Sequence, residues 1–414
     1  MWKSACEVMP LGGQTLSKSP DQFVKGLYPI FAKSAQGAYI IDLNDNKYLD
    51  FMCGLGPIVL GYNDEAVNHA IKKQLDSGII FSLPTLLEKK LADLIIDVVP
   101  CAEMVRFAKN GTDVCTAAVR IARSYTKRQH ILKCGYHGWS DWHAITTVKK
   151  YGIPECLENI VHEFKYNDLR GLERLLRAYN VAGVIMEPEA LEKPHKGYLS
   201  AVKDLAHKYG ALLIFDEIVT GFRWDIGGAQ ARYEVTPDLC CLGKSIANGM
   251  PISVIAGKKK YMRELEHIFF SMTFGGECLS MAAAIATIEQ LKTKEYSHIW
   301  DLNELLIDGF LKKSEKHNLK INFAGHGPRH NLTFSSEYKD SAGMKDLFFQ
   351  EMVKRGILFP NVIYIQFSHT KGDISKTIEA ADKAFEKVAE NKSNIDAALE
   401  GERSLDVFIK RDKT

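Results

Sequence analysis

Short apolar runs alternate with stretches of helical spacing through the middle of the chain. HILKC (130–134), VAGVIME (181–187), ALLIFDE (211–217), LCCLG (239–243) and ISVIAG (252–257) read as buried strands. Apolar residues recur every third or fourth position over 64–75, 86–98, 112–126, 168–179 and 200–209, which predicts helices. Within 112–126 the predicted buried stripe is Val114, Ala117, Ala118, Ile121, Ala122 and Tyr125. Strands and helices in alternation predict an α/β domain with a mostly parallel sheet. Near the N-terminus, GAYIIDLNDNKYLDF (37–51) reads as a hairpin that turns at Asp45-Asn46. From about residue 280 the pattern changes to long helices (280–292, 300–316, 343–355, 373–390) and short strands (320–323, 331–334, 362–367). The expected division is therefore an N-terminal segment (1–64) joining a small domain, a large α/β domain (65–290) and a small α+β domain (291–414).

Composition narrows the function classes. Hydrophobic residues are 46% and charged residues 25% of 414, a globular composition. With 53 basic and 51 acidic residues the net charge is +2, so electrostatics supply no argument for nucleic acid or an anionic membrane as partner. Nine cysteines include no CxxC pair, which suggests neither a disulfide framework nor a zinc site; no metal is expected. The opening MWKSACEVMPLGG lacks an apolar signal core, and no run reaches the roughly 18 apolar residues of a membrane span. A reducing, cytoplasmic compartment is the expectation.

Three features carry chemistry. Asn110-Gly111-Thr112-Asp113 stands directly before the 112–126 helix, whose N-terminal amides and dipole suit a phosphate, although an ordinary N-cap has the same look. Asp216 closes ALLIFDE, at the carboxyl end of a predicted parallel strand, where ligands bind. A carboxylate placed there is poorly solvated and needs a cationic partner, such as a protonated pyridine nitrogen; capping of the next turn by Asp216 or Glu217 is the competing role. Lys244, after LCCLG, can serve as nucleophile or base. Gly243-Lys244-Ser245 mimics the end of a P-loop, but the leading glycine would fall at Asp238. A phosphate cradle, a buried aspartate and a strand-end lysine, in that order, form the constellation for pyridoxal 5'-phosphate.

At this point the sequence resembles the class III, fold-type I aminotransferases, and within them the glutamate-1-semialdehyde aminomutase branch. The resemblance runs from about Gly12 to about residue 390, through EMVRFAKNGTDVCTAAVRIAR, YHGWSDW, ALLIFDEIVTGFR, PDLCCLGKSIANGMP, TFGGECLSMA and FSHTKGDI. It implies that Lys244 carries the cofactor as a Schiff base and that Asp216 pairs with the pyridinium nitrogen. Asn110, Gly111 and Thr112 would hold the phosphate. Tyr136 would stack on one ring face and Ile218 press on the other, with His137 in a structural role. Thr273 would reach the phosphate of a neighbouring subunit, making a homodimer obligatory. The partners implied are a small amino donor, such as glutamate, and a carbonyl acceptor.

The substrate pocket departs from the aminomutase pattern. Gly12-Gly13 is followed by QTLSKSPDQF, with Lys18 but without the arginine that grips a substrate carboxylate in those enzymes. A lysine supplies charge but not the two-pronged planar contact. Leu55 stands where the aminomutases have tryptophan, and Asn361 falls near the position of their active-site glutamate. These changes point to an intermolecular aminotransferase, with the aminomutase as the alternative and a non-catalytic cofactor-binding relative as the reading from another class. Relatives with KNGTD, YHGW and TFGGE motifs look like enzymes of sugar or surface-polysaccharide pathways.

Overall fold

The computed structural model describes residues 1–405. They form two compact units: a larger one of Gly56–Ile58 and Asp64–Tyr296, and a smaller one of Met1–Leu55, Val59–Asn63 and the chain from Ser297 onward. In chain order the strands are β1 (Ala32–Gln36), β2 (Tyr39–Asp42) and β3 (Lys47–Asp50), then β4 (Met104–Ala108), β5 (His130–Cys134), β6 (Val161–Glu163), β7 (Val181–Met186), β8 (Leu212–Glu217), β9 (Leu239–Leu242) and β10 (Ser253–Gly257). The last four are β11 (Ile321–His326), β12 (Arg329–Phe334), β13 (Ile357–Leu358) and β14 (Ile363–Tyr364).

The larger unit is built on a seven-stranded sheet of order β4-β10-β9-β8-β7-β5-β6. From β9 to β6 every pair is parallel, and β10 alone runs antiparallel to its neighbours. Strands β7, β8, β9 and β10 are buried along their whole length, which explains their unbroken apolar runs. The Gly111–Thr126 helix lays Val114, Cys115, Ala117, Ala118, Ile121 and Ala122 on this sheet, against Ile131, Ile185, Ile214 and Ile255. Full burial of Ile121 alone is worth roughly 1.5–3 kcal/mol. Tyr125, expected in that stripe, is instead 41% exposed and meets Tyr261 edge-on. This is the expected α/β fold with a mostly parallel sheet.

The smaller unit holds two sheets, β1-β2-β3-β13 and β11-β12-β14. The predicted hairpin is β2–β3, with Asp45 in the left-handed region at its turn. Phe310, Phe348, Phe359 and Phe385 form its aromatic core, with Phe348 and Phe385 stacked at 4.7 Å. The strand expected over 362–367 shortens to Ile363–Tyr364, because Ile365 and Phe367 bond to Pro328 and Val59 outside any ladder. Among the described residues no helix is long and apolar enough to cross a membrane.

Candidate active site

The site grows from the ends of two neighbouring parallel strands. β8 closes on Asp216 and Glu217, which lie opposite Cys241 and Leu242 of β9. Two residues beyond Leu242, Lys244 opens a short helical turn, Lys244–Ala247. Parallel strands finish on one edge of a sheet, so Asp216 and Lys244 share the edge where open α/β sheets bind ligands. The φ of Lys244 is 41°, a left-handed conformation. Such a backbone costs a residue with a Cβ about 1–3 kcal/mol and is held by its surroundings.

The two carboxylates of β8 differ in what they touch. Glu217 accepts from Thr220 Oγ1 (2.6 Å), Ala229 N (2.6 Å), Gln230 N (3.0 Å) and Gln230 Nε2 (3.1 Å), and so ties down the Gly228–Arg232 helix. Asp216 accepts from Ile218 N at 3.1 Å through Oδ1. Its Oδ2 accepts from His137 Nδ1 at 2.7 Å and from the Cys115 thiol at 3.4 Å. Capping of the next turn is thus shared, but only Asp216 belongs to a polar cluster at the strand edge. His137 Nε2 is buried and finds no partner among the described residues. The bond to Asp216 makes Nδ1 the donor, and a proton on Nε2 would have no acceptor among the described residues. His143, whose Nε2 faces His137 N at 3.5 Å, is held down to about 3 by burial and by the nearby Lys133 and His137. His143 is therefore neutral near pH 7. Asp216 is thus a buried carboxylate, 4% exposed, at the ligand-binding edge of the sheet.

Next to this cluster lies the N-terminus of the Gly111–Thr126 helix. Asn110 and Asp113 close a reciprocal capping box, in which Asp113 accepts from Asn110 N at 2.8 Å. The amides of Gly111 and Thr112 have no acceptor within the helix and, with the dipole, suit an anion. Ile218 links the three features. A Cβ on Gly111 would sit 3.1 Å from its side chain, and so would a Cβ on Gly243, just before Lys244. Thr112 is buried as a residue, and its hydroxyl lies 2.9 Å from Ser140 Oγ. Gly138 packs so closely on Thr112, at φ 103°, that a Cβ there would overlap the threonine side chain.

The other expected residues separate into two groups. In the larger unit, Tyr136 follows β5 and is 68% exposed, with its ring edge-on to His143, so it is not a core aromatic. Burial and the neighbouring Asp216 push its hydroxyl upward. Thr273 is exposed in the turn closed by Gly275 N and Met272 O. Lys18, Leu55 and Asn361 belong to the smaller unit. Lys18 is exposed at the end of Leu16–Lys18, Leu55 has φ 79°, and Asn361 accepts from Lys345 Nζ at 3.0 Å. His137, expected to be only structural, proves to be a direct partner of Asp216. Cys115 and Ser140 escaped the sequence reading entirely, for nothing in helical periodicity marks a thiol or a hydroxyl as facing a ligand. Among the described residues no group of three or more His, Cys, Asp or Glu is placed to hold a metal.

Comparisons with known proteins place the chain in a family. The model of the class III aminotransferase family matches residues 23–384. The chain is 35% identical to the 3-aminobutyryl-CoA aminotransferase of Cloacimonas acidaminovorans over 405 residues, covering 94% of this chain and 96% of that protein. It is 33% identical to the glutamate-1-semialdehyde 2,1-aminomutase of Natranaerobius thermophilus, covering 94% and 98%. Among solved structures, the FumI protein of Sphingopyxis sp. MTA144, in its PLP internal aldimine form, superposes with a TM-score of 0.89 at 27% identity, covering 95% and 96%. The chain belongs to the class III aminotransferases, enzymes that move amino groups with pyridoxal 5'-phosphate as cofactor.

Proposed function

We propose that the protein transfers an amino group between two separate small molecules, with Lys244 binding the cofactor's aldehyde through its ε-amine. The observation that carries this reading is the junction around Ile218, which brings Gly111, Gly243-Lys244 and the Asp216–His137 pair to one sheet edge. When bound, pyridoxal phosphate supplies an electron sink for the carbon that loses its proton. Asp216 would hold the proton on the ring nitrogen, steadied by His137 and Cys115. Gly111 and Thr112 would fix the phosphate, Tyr136 and Ile218 the two ring faces. Lys244 Nζ, displaced by the incoming substrate amine, would be the base that takes the proton from the carbon bearing that amine and later returns it.

The intermolecular reading rests on the segment after Gly13, where Lys18 takes the place of a carboxylate-gripping arginine. An aminomutase must keep its intermediate between two half-reactions, and a two-pronged carboxylate contact helps retain it. For the amino donor we propose an amino acid such as glutamate. Two acceptor classes go into one screen: keto sugars, to which the KNGTD, YHGW and TFGGE motifs point, and partners of 3-aminoacyl thioesters, by the name of the Cloacimonas relative. Incubation with glutamate-1-semialdehyde alone is the test. Little 5-aminolevulinate should form until a keto acid is added; efficient formation without one would overturn the intermolecular reading.

We also propose a homodimer. Ile79, Ile80, Phe81 and Leu83 are exposed in the larger unit, as are Phe269 and Phe274 on either side of Thr273 in the chain. A second copy covering them would bring Thr273 to the partner's phosphate site. The unpaired cysteines fit a reducing, cytoplasmic compartment.

A further inference from the structure

We infer that Trp142, Thr116 and Ser140 form a directed hydrogen-bond relay that forces the Thr112 hydroxyl to donate outward, to the cofactor phosphate. The inference rests on the reading of Thr112 as a phosphate contact and goes beyond it, by assigning positioning residues that act through Thr112.

The direction follows from what each group can do. An indole N–H only donates, so Trp142 Nε1 gives its proton to Thr116 Oγ1 at 3.0 Å. Thr116 Oγ1 in turn donates to Ser140 Oγ at 2.9 Å. Ser140 Oγ, already an acceptor, has Thr112 Oγ1 at 2.9 Å as the place for its own proton. The backbone amides of Trp139 (3.3 Å) and Ser140 (3.4 Å) also point at Thr112 Oγ1. Three donors meet an oxygen with two lone pairs, so its accepting capacity is filled and its one proton turns away from the protein. The loop must come close for this. Gly138, at φ 103° and with no room for a Cβ beside Thr112, lets it do so.

Had the relay run the other way, Thr112 would give its proton to Ser140 and present lone pairs to the phosphate, which repel it. Replacing Thr116 by valine removes the donor that sets the direction and frees Ser140 to accept from Thr112. Serine at 116 keeps the donor. The relay therefore predicts different results for two substitutions of nearly equal size.

The test is equilibrium dialysis of the full-length protein with pyridoxamine phosphate, which cannot bond covalently to Lys244, and with pyridoxamine, which lacks the phosphate. Thr112→Val should weaken pyridoxamine phosphate by about tenfold or more, the worth of one hydrogen bond to a charged group. Thr116→Val should weaken it by roughly three- to tenfold, with Thr116→Ser within about twofold of the parent. In a Thr112→Val background Thr116→Val should add nothing, and pyridoxamine should be indifferent to all of them. If Thr112→Val leaves pyridoxamine phosphate binding intact, the phosphate reading of Thr112 falls and the relay with it. If Thr112→Val weakens binding while Thr116→Val has no effect, or an equal factor in both backgrounds, the relay alone is overturned.

Discussion

Replacing Asp216 by asparagine tests the charge balance of the site at a single atom. The side chain keeps its shape but exchanges one accepting oxygen for a donating NH2. Three donors now converge on it: Ile218 N at 3.1 Å, His137 Nδ1 at 2.7 Å and the Cys115 thiol at 3.4 Å. One carbonyl oxygen can serve Ile218 or His137, not both sides at once. If it keeps Ile218, the NH2 faces His137, whose ring must move its proton to Nε2. That nitrogen is buried without a partner among the described residues. Stranding one buried N–H costs about 1–3 kcal/mol, and loss of a charge-assisted bond adds a similar amount. The folded protein should therefore lose about 2–6 kcal/mol, read as a shift in the denaturant midpoint. The effect on rate is separate and larger. Without a carboxylate at the ring nitrogen, kcat should fall by a factor of about 10² to 10³ or more, as when a preorganised electrostatic partner is removed. Single-turnover absorbance with an amino donor measures it with cofactor still bound. An Asp216→Asn protein with near-normal turnover would refute the pairing of this carboxylate with the ring.

Further outcomes follow from the same geometry. Gly138→Ala, which forces a Cβ onto Thr112 at a φ of 103°, should weaken pyridoxamine phosphate binding and cost about 1–3 kcal/mol of stability by thermal melt; an unchanged protein would contradict the close approach. His143 is depressed to about 3, by burial first and then by its neighbours Lys133 and His137, so its proton binds the unfolded chain first. Its contribution is complete above the ordinary histidine value of 6.5 and is lost as pH falls from there toward 3. His143→Gln should flatten that acid limb of the stability profile; an identical limb would remove His143 as a cause.

Much of this site was legible because it is local. The apolar runs of β8 and β9 end on Asp216 and Lys244, and a capping box opens the Gly111–Thr126 helix; each is a pattern within a few residues. The edge strand β4 and the three-residue β6 escaped notice. Strand β4 is half-buried at Met104, Val105 and Phe107 and exposed only at Arg106, so it shows no alternation, and β6 is too short to show a period. His137 and Asp216 are 79 positions apart, and Cys115 lies 101 before Asp216, so only the closed sheet brings them together. Periodicity reports which face of an element is buried. It does not report which buried thiol or imidazole meets a carboxylate on another element. Tyr125 marks the opposite failure, a residue in phase with the buried stripe that nonetheless stays 41% exposed against Tyr261.

The central claim is that Lys244 is the cofactor's attachment point, and peptide mapping after borohydride reduction tests it most directly. Reduction of the purified holoprotein should fix pyridoxal phosphate irreversibly to one peptide, that spanning Lys244, and Lys244→Ala should carry no such label while retaining its fold. The left-handed backbone at 41° and the contact of Gly243 with Ile218 hold this lysine at the edge it shares with Asp216. Label recovered on any other lysine, or a Lys244→Ala protein that still turns over amino donors, would contradict the account.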